Sequence, residues 1–195
     1  MRYILVLLAA AMFFGCSQNT IETPKPRGYF RVDFPEKAYK TFDSLAPFSF
    51  EYPSYARVEL DTDYNRQAFW YNIQYPAYKA TLHLSYNAIN NNLTKLLEDS
   101  RSLVYKHTVK AEAIDEQLII DSMTRKFGIF YFIKGEAASA FQFVITDSCC
   151  HFMRGALYFN VVPNKDSLAP SLAFISEDVK HMVQTLAWKN NRSRK

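Results

Sequence analysis

Residues 78–87 read Tyr78-Lys79-Ala80-Thr81-Leu82-His83-Leu84-Ser85-Tyr86-Asn87. Apolar and polar side chains alternate through the whole run, which is the period of a strand with one face buried and one wet. Tyr78, Ala80, Leu82, Leu84 and Tyr86 take the core face. His83 falls on the polar side, so it reads as a sheet histidine exposed to solvent and not as a catalytic base.

Working back toward the N-terminus, the same alternation appears three more times. Phe48, Phe50 and Tyr52 alternate with Ser49 and Glu51. Ala56, Val58 and Leu60 alternate with Arg57 and Glu59, and Phe69, Tyr71, Ile73 and Tyr75 alternate with Asn72 and Gln74. These four runs read as half-buried antiparallel strands. Tyr52-Pro53-Ser54-Tyr55 and Tyr75-Pro76-Ala77-Tyr78 each join two of them as turns, and an aromatic residue before Pro favours a cis bond more than usual. Two such copies do not make a repeat architecture.

Working forward, Asn90-Asn91-Asn92 offers N-caps to an amphipathic helix over about 92–107, with Leu93, Leu96, Leu97 and Val104 on one side. Strand signals return at Gln117–Asp121, Lys126–Lys134, Ala140–Asp147 and Phe152–Val162. The run Phe127-Gly128-Ile129-Phe130-Tyr131-Phe132-Ile133 is apolar on both faces and is expected to be central. A last helix is predicted from near Glu177, with acidic residues 177 and 178 at its positive end and Val179, Met182, Val183 and Leu186 as its buried stripe. Four strands, a helix, four strands and a helix predict an α+β domain, mainly an antiparallel sheet with two amphipathic helices packed on it. The layout resembles, in pattern, a sandwich of the Mog1/PsbP type.

The first residues carry a different message. Arg2 precedes an uncharged apolar run, Tyr3–Phe14, which is too short to span a bilayer but fits a signal-peptide core. Gly15-Cys16 follows, a small residue before a thiol, and the stretch resembles a lipobox with Phe13 and Phe14 in place of the usual Leu and small residue. The predicted organisation is a lipoprotein signal peptide over 1–15, a lipid-anchored, Pro-punctuated tether over 16–47, a single α+β domain over 48–189 and a basic tail over 190–195. Lipid on Cys16, at roughly 0.8 kcal/mol per buried methylene, suffices for stable anchoring. The polar residues after Cys16 contain no dense acidic export signal, which favours a periplasm-facing protein.

Composition narrows the function. The net charge of +4 resides in the termini: setting aside Arg2, Lys189, Arg192, Arg194 and Lys195 leaves 18 basic residues against 19 acidic ones. The tail reads as a solvated terminus, with weak affinity for an anionic membrane as the alternative. No basic stripe interleaved with aromatics runs along one element, so nucleic acid is excluded as a partner. Cys149 and Cys150 are adjacent; a strained vicinal disulfide, pairing between chains and free thiols all stay open. Cys149-Cys150-His151 lacks ligands from a second segment, so no metal is expected. No phosphate loop, His-Glu-x-x-His helix or nucleophile elbow is present. Asp147-Ser148 and His151 supply triad residue types, but the simpler reading is an Asp/Ser turn between two strands. Asp61 and Asp63 read as part of a polar loop. The expectation is a protein that is no enzyme and carries no cofactor.

Arg27, Tyr29 and Arg31 alternate in a short extended segment beside the tether. They read either as interface anchors or, for Tyr29, as a pin for an edge strand.

Two longer stretches carry a resemblance. Pro24-Lys25-Pro26-Arg27-Gly28-Tyr29-Phe30-Arg31-Val32-Asp33-Phe34-Pro35-Glu36-Lys37 and Asp147-Ser148-x-x-His151-Phe152-x-Arg154-Gly155-Ala156-Leu157-Tyr158-Phe159 are similar to segments of the GldD-type gliding-motility lipoproteins of the Bacteroidetes. The likeness covers nearly the whole mature chain, although Cys149-Cys150 departs from the expected pattern. It implies a non-enzymatic lipoprotein of the cell envelope needed for gliding and associated with type IX secretion proteins. It carries over the lipidated Cys16 and the two stretches, with Arg27, Tyr29, Arg31, His151 and Arg154 as candidate partner-docking residues. The alternative reading is a lipid-anchored periplasmic module that binds a small ligand in a cleft between the sheet and the 92–107 helix.

Overall fold

The computed structural model describes residues 33–62, 69–106, 111–161 and 165–189. Cys16, Arg27, Tyr29, Arg31, Asp63, the signal and the basic tail lie outside the described residues. The strands are β1 (Tyr39–Asp43), β2 (Phe48–Pro53), β3 (Arg57–Leu60), β4 (Tyr71–Tyr75), β5 (Ala80–Ala88), β6 (Ala111–Asp121), β7 (Lys126–Gly135), β8 (Ser139–Thr146), β9 (His151–Phe159) and β10 (Ala187–Trp188). The helices are α1 (Leu93–Tyr105) and α2 (Lys165–Thr185). All pairing is antiparallel, in a seven-stranded sheet ordered β3-β4-β5-β9-β8-β7-β6 and a three-stranded sheet ordered β1-β2-β10. The expected α+β architecture is therefore present.

The alternation read at residues 78–87 sets the layers. Ala80, Leu82, Leu84 and Tyr86 are buried on one face of β5, and Phe141, Phe143, Ile145, Met153 and Leu157 extend that face across β8 and β9. Phe48 and Phe50 of β2 and Ile175, Val179, Met182 and Val183 of α2 close over it. On the opposite face a smaller core of Tyr131, Ile133, Val144 and Phe152 lies under Val104 of α1. The large sheet is thus covered on both sides, and each fully buried large apolar side chain stabilises it by roughly 1.5–3 kcal/mol. Among the described residues no helix is long and apolar enough to cross a membrane.

Several expectations change. The segment read as tether contains β1, whose five residues pair with β2 from Tyr39↔Pro53 to Asp43↔Ser49, so the folded part begins ahead of Phe48. β1 is an edge strand with three exposed residues, so its alternation is faint. β10, two residues long, is too short to leave a pattern. β6 is longer than Gln117–Asp121 because its exposed edge lacks an apolar face in its first half. β7 is second from the edge and not central; it is apolar on both faces because both layers reach it, with Tyr131 and Ile133 in one core and Phe130 in the other. α2 begins at Lys165 and runs through Pro170, where a sequence reader stops a helix. Burial of Leu172, Phe174 and Ile175 against the core offsets the missing N–H. Glu177 and Asp178 consequently lie inside the helix and not at its start. Asn92 does not cap α1; its Oδ1 accepts the backbone N–H of Asn90 at 2.8 Å. Leu97, expected in the buried stripe, is 39% exposed, and Ser100 takes the buried place one turn before Val104. Both Tyr-Pro bonds are trans.

One polar site joins the layers. Asp178 on α2 is fully buried, and its Oδ1 accepts from Lys37 Nζ at 2.7 Å and Tyr39 OH at 3.1 Å. Its Oδ2 accepts from Tyr55 OH at 2.6 Å. Lys37 also donates to the Phe174 carbonyl and sits 3.4 Å above the centre of that ring. Burial, then the Asp178 charge, pushes the Tyr39 hydroxyl up to about 12.

Two substitutions test this packing. A Cβ on Gly155 would stand 2.0 Å from the buried Phe143 ring, so Gly155→Ala is expected to lower unfolding free energy by about 1–3 kcal/mol in urea. Asp178→Ala strands Lys37 and two tyrosine hydroxyls, and is expected to cost about 3 kcal/mol in the same measurement.

Candidate functional site

β8 and β9 are joined by a tight turn whose construction follows from one carboxylate. Asp147 Oδ1 accepts the backbone N–H groups of Cys149 at 3.1 Å, Cys150 at 2.8 Å and His151 at 2.8 Å. Thr146 Oγ1 accepts from Ser148 N at 2.9 Å and donates to the His151 carbonyl at 2.7 Å. Ser148 has φ 68°, the left-handed region that such a turn requires. Burial pushes the Asp147 carboxyl up, but the N–H groups of Cys150 and His151 and the Cys149 thiol and N–H outweigh it and hold the group down at about 2.

The turn directs His151 toward the core. His151 Nδ1 is 2.8 Å from Tyr86 OH, and its ring stacks on Trp188 with centroids 5.1 Å apart and planes 5° off parallel. The imidazole is engaged by core residues and is only 8% exposed, with its pKa lowered by burial against the pull of Asp147. His151, expected among the docking residues, is thus placed against the core. The two cysteines are free and exposed, with sulfurs 3.1 Å apart. The Cys149 thiol, hydrogen-bonded toward Cys150 and to Asp147 Oδ2 at 3.0 Å, is pushed up to about 11. The Asp147 carboxylate and both sulfurs come within 4.8 Å of one another, but three N–H groups already occupy Oδ1.

Arg154 lies three residues further along β9 and points to the other face of the sheet. It stands opposite Ser85 in register, and its Nη2 donates to Gln142 Oε1 at 2.6 Å. Together with His83, Tyr158, Asp99 and Ser100 it lines a groove of about 510 Å³ between the sheet and α1. His83 Nδ1 is 2.6 Å from Asn72 Oδ1, and its ring meets Tyr158 edge-on. Burial, with the Arg154 charge adding and Asp61 opposing, lowers the His83 pKa. His151 and Arg154, adjacent in the sequence motif, therefore serve opposite faces and do not converge. The sequence reading missed the grouping of His83, Asp99 and Arg154. The available signal was that His83, Ser85 and Asn87 share the outward face of β5, the face that α1 crosses.

The turn makes stability pH-dependent with a definite sign. Because the folded pKa of Asp147 is depressed, its contribution is complete above the unfolded value near 3.8 and is lost as pH falls toward 2. That window is worth about 2 kcal/mol. Asp147→Asn is expected to remove most of this acid limb in urea titrations between pH 5 and about 2, while Glu36→Gln, on an exposed residue, leaves it intact.

A search of curated proteins finds no match. Among solved structures, the solution structure of cyanobacterial PsbP (CyanoP) from Synechocystis sp. PCC 6803 is similar in fold, with a TM-score of 0.50 and 8% sequence identity. The likeness covers 82% of this chain and 97% of that one, and at that identity it speaks for the sandwich alone. It agrees with the antiparallel sheets and two helices seen here. The model of the family described as gliding motility lipoprotein GldD matches residues 19–188, which include the Asp147–Phe159 stretch, and the chain belongs to that family.

Proposed function

We propose that the protein is a non-enzymatic scaffold of the cell envelope, held by lipid on Cys16 with its domain facing the periplasm, that docks components of the gliding and type IX secretion machinery. The family match carries this reading. The outer edge of the large sheet supports it. β6 is an edge strand of eleven residues, with Leu118 at 67% and Ile120 at 71% exposure, and Met123 in the following turn at 96%. An open edge with exposed apolar side chains is a template for strand addition by a partner. Glu112, Asp115, Glu116 and Asp121 give the same strand an acidic character, with Asp115 and Asp121 paired to Lys134 and Lys126. Arg27, Tyr29 and Arg31 remain the second candidate surface, next to the tether.

The reading is tested by purifying the lipoprotein from gently solubilised envelopes in three forms: native, Leu118→Lys with Ile120→Lys, and Arg27→Ala with Tyr29→Ala and Arg31→Ala. Gliding or secretion proteins are expected to accompany the native form and to be depleted about tenfold or more from one variant, which assigns the surface. Retention of the same proteins by both variants removes both surfaces from the proposal, and their absence from the native form removes the scaffold itself.

A further inference from the structure

Arg154 sits in the middle of β9 without a carboxylate partner among the described residues. Its Nη2 donates to Gln142 Oε1 and the guanidinium also bonds the Tyr158 side chain; its Nε is buried and unpartnered, and so is Gln142 Nε2 beside it. A guanidinium half withdrawn from water at the floor of a groove favours an anion that meets it. Its lowered pKa, caused by burial, reflects the same desolvation. Packing alone does not require this residue, because the neighbouring outward positions of the sheet are filled by Phe152, Ala156 and Val144.

The groove above the guanidinium has polar groups from two elements. His83, Ser85 and Asn87 rise from β5 beside Arg154 and Tyr158, while Asp99 and Ser100 come down from α1. Asp99 is exposed, and no described cation pairs with it. With Asp61 just after β3 and Asp99 on α1 both lining the groove, the walls present a positive floor and a negative rim, which reject a multiply charged anion and suit a ligand bearing charges of both signs. The space of about 510 Å³ is in the range of small-molecule sites and holds a molecule of amino-acid to dipeptide size. We propose that this groove binds a small zwitterion of the amino-acid class, its carboxylate on Arg154 and its ammonium toward Asp99. The proposal does not depend on the scaffold reading, since the groove lies under α1 and the docking edge is β6.

Titration calorimetry on the full-length, detergent-solubilised lipoprotein tests it, with the common amino acids and dialanine as probes and acetate, methylamine and inorganic phosphate as controls. At least one zwitterion is expected to bind saturably, and acetate and methylamine at least about tenfold more weakly. Asp99→Asn, a change on an exposed residue that leaves folding intact, is expected to weaken the zwitterion about tenfold or more and leave acetate unchanged. Arg154→Gln is expected to abolish both. Phosphate binding as tightly as any zwitterion, equal zwitterion binding by Asp99→Asn, or no saturable binding by any probe each overturns the proposal. Partner capture by Asp99→Asn is expected to match the native form, which separates this result from the scaffold test.

Discussion

The carboxylate of Asp178 is fully buried, yet three donors from two separate segments reach it. Lys37 approaches from ahead of β1, Tyr39 from its first residue and Tyr55 from the turn after β2. Helix α2 could not bury an acidic residue at this position without them, since an unpaired carboxylate in an apolar layer costs several kcal/mol. Beyond its pairing with β2, the stretch from Lys37 to Asp43 is an exposed edge and Lys37 keeps contact with solvent, so the carboxylate is what ties it to α2. Around the polar centre the rings of Phe34, Tyr55, Tyr78 and Phe174 pack face or edge, and Tyr39 stacks on His181 at 3.7 Å. One charge therefore ties the start of the domain to α2, beside the apolar core that Phe48 and Phe50 of the small sheet share with that helix.

With that layer in place, the large sheet has a definite inside and outside. The inner face is almost wholly apolar, closed by β2 and α2. The outer face is only partly roofed, because α1 is thirteen residues long and lies across a sheet of seven strands. A helix of that length covers about 20 Å, whereas seven strands at about 4.8 Å spacing are broader. What α1 leaves open on one side is the polar groove over Arg154, and on the other the apolar corner at Leu118 and Ile120. Both candidate surfaces thus arise from the same mismatch between a short helix and a wide sheet.

Much of this was readable from the residues. Runs of strand-forming apolar residues located β7 to β9. Period-two alternation located β2 to β5, because each has one face in a continuous apolar layer and the pleat imposes the period. The helix stripe at Val179, Met182 and Val183 was readable for the same reason. The failures share a cause as well. β1, β6 and β10 are edges or fragments whose partners satisfy them through the backbone, which leaves no mark on side-chain pattern. Pro170 and the paired acids at 177 and 178 were read by local rules that tertiary packing overrode. Asp178 in particular looked like a helix-terminus acid, whereas its partners lie more than 120 residues away in sequence, a distance no local rule spans. The cleft between the sheet and the 92–107 helix was anticipated but its lining was not, for a related reason: Asp99 on α1 and Arg154 on β9 come to line one groove only once the sheet order is known.

The stretch from Asp147 to Phe159 shows why a continuous motif need not be one site. Asp147 spends its carboxylate on three turn N–H groups, which fixes the register of β8 against β9. A register fixed by one residue assigns every later residue to a face, since a shift of one would exchange the two sets. His151, Met153 and Gly155 then point inward: His151 meets Trp188 and Tyr86, and Gly155 leaves room for the Phe143 ring. Phe152, Arg154 and Tyr158 point outward, the first beneath α1 and the other two into the groove. The inward set serves closure of the sandwich and the outward set serves the surface. Both sets depend on the turn, so a change at Asp147 would disturb the core and the groove together, while a change at Arg154 alters the groove with the inner layer left in place.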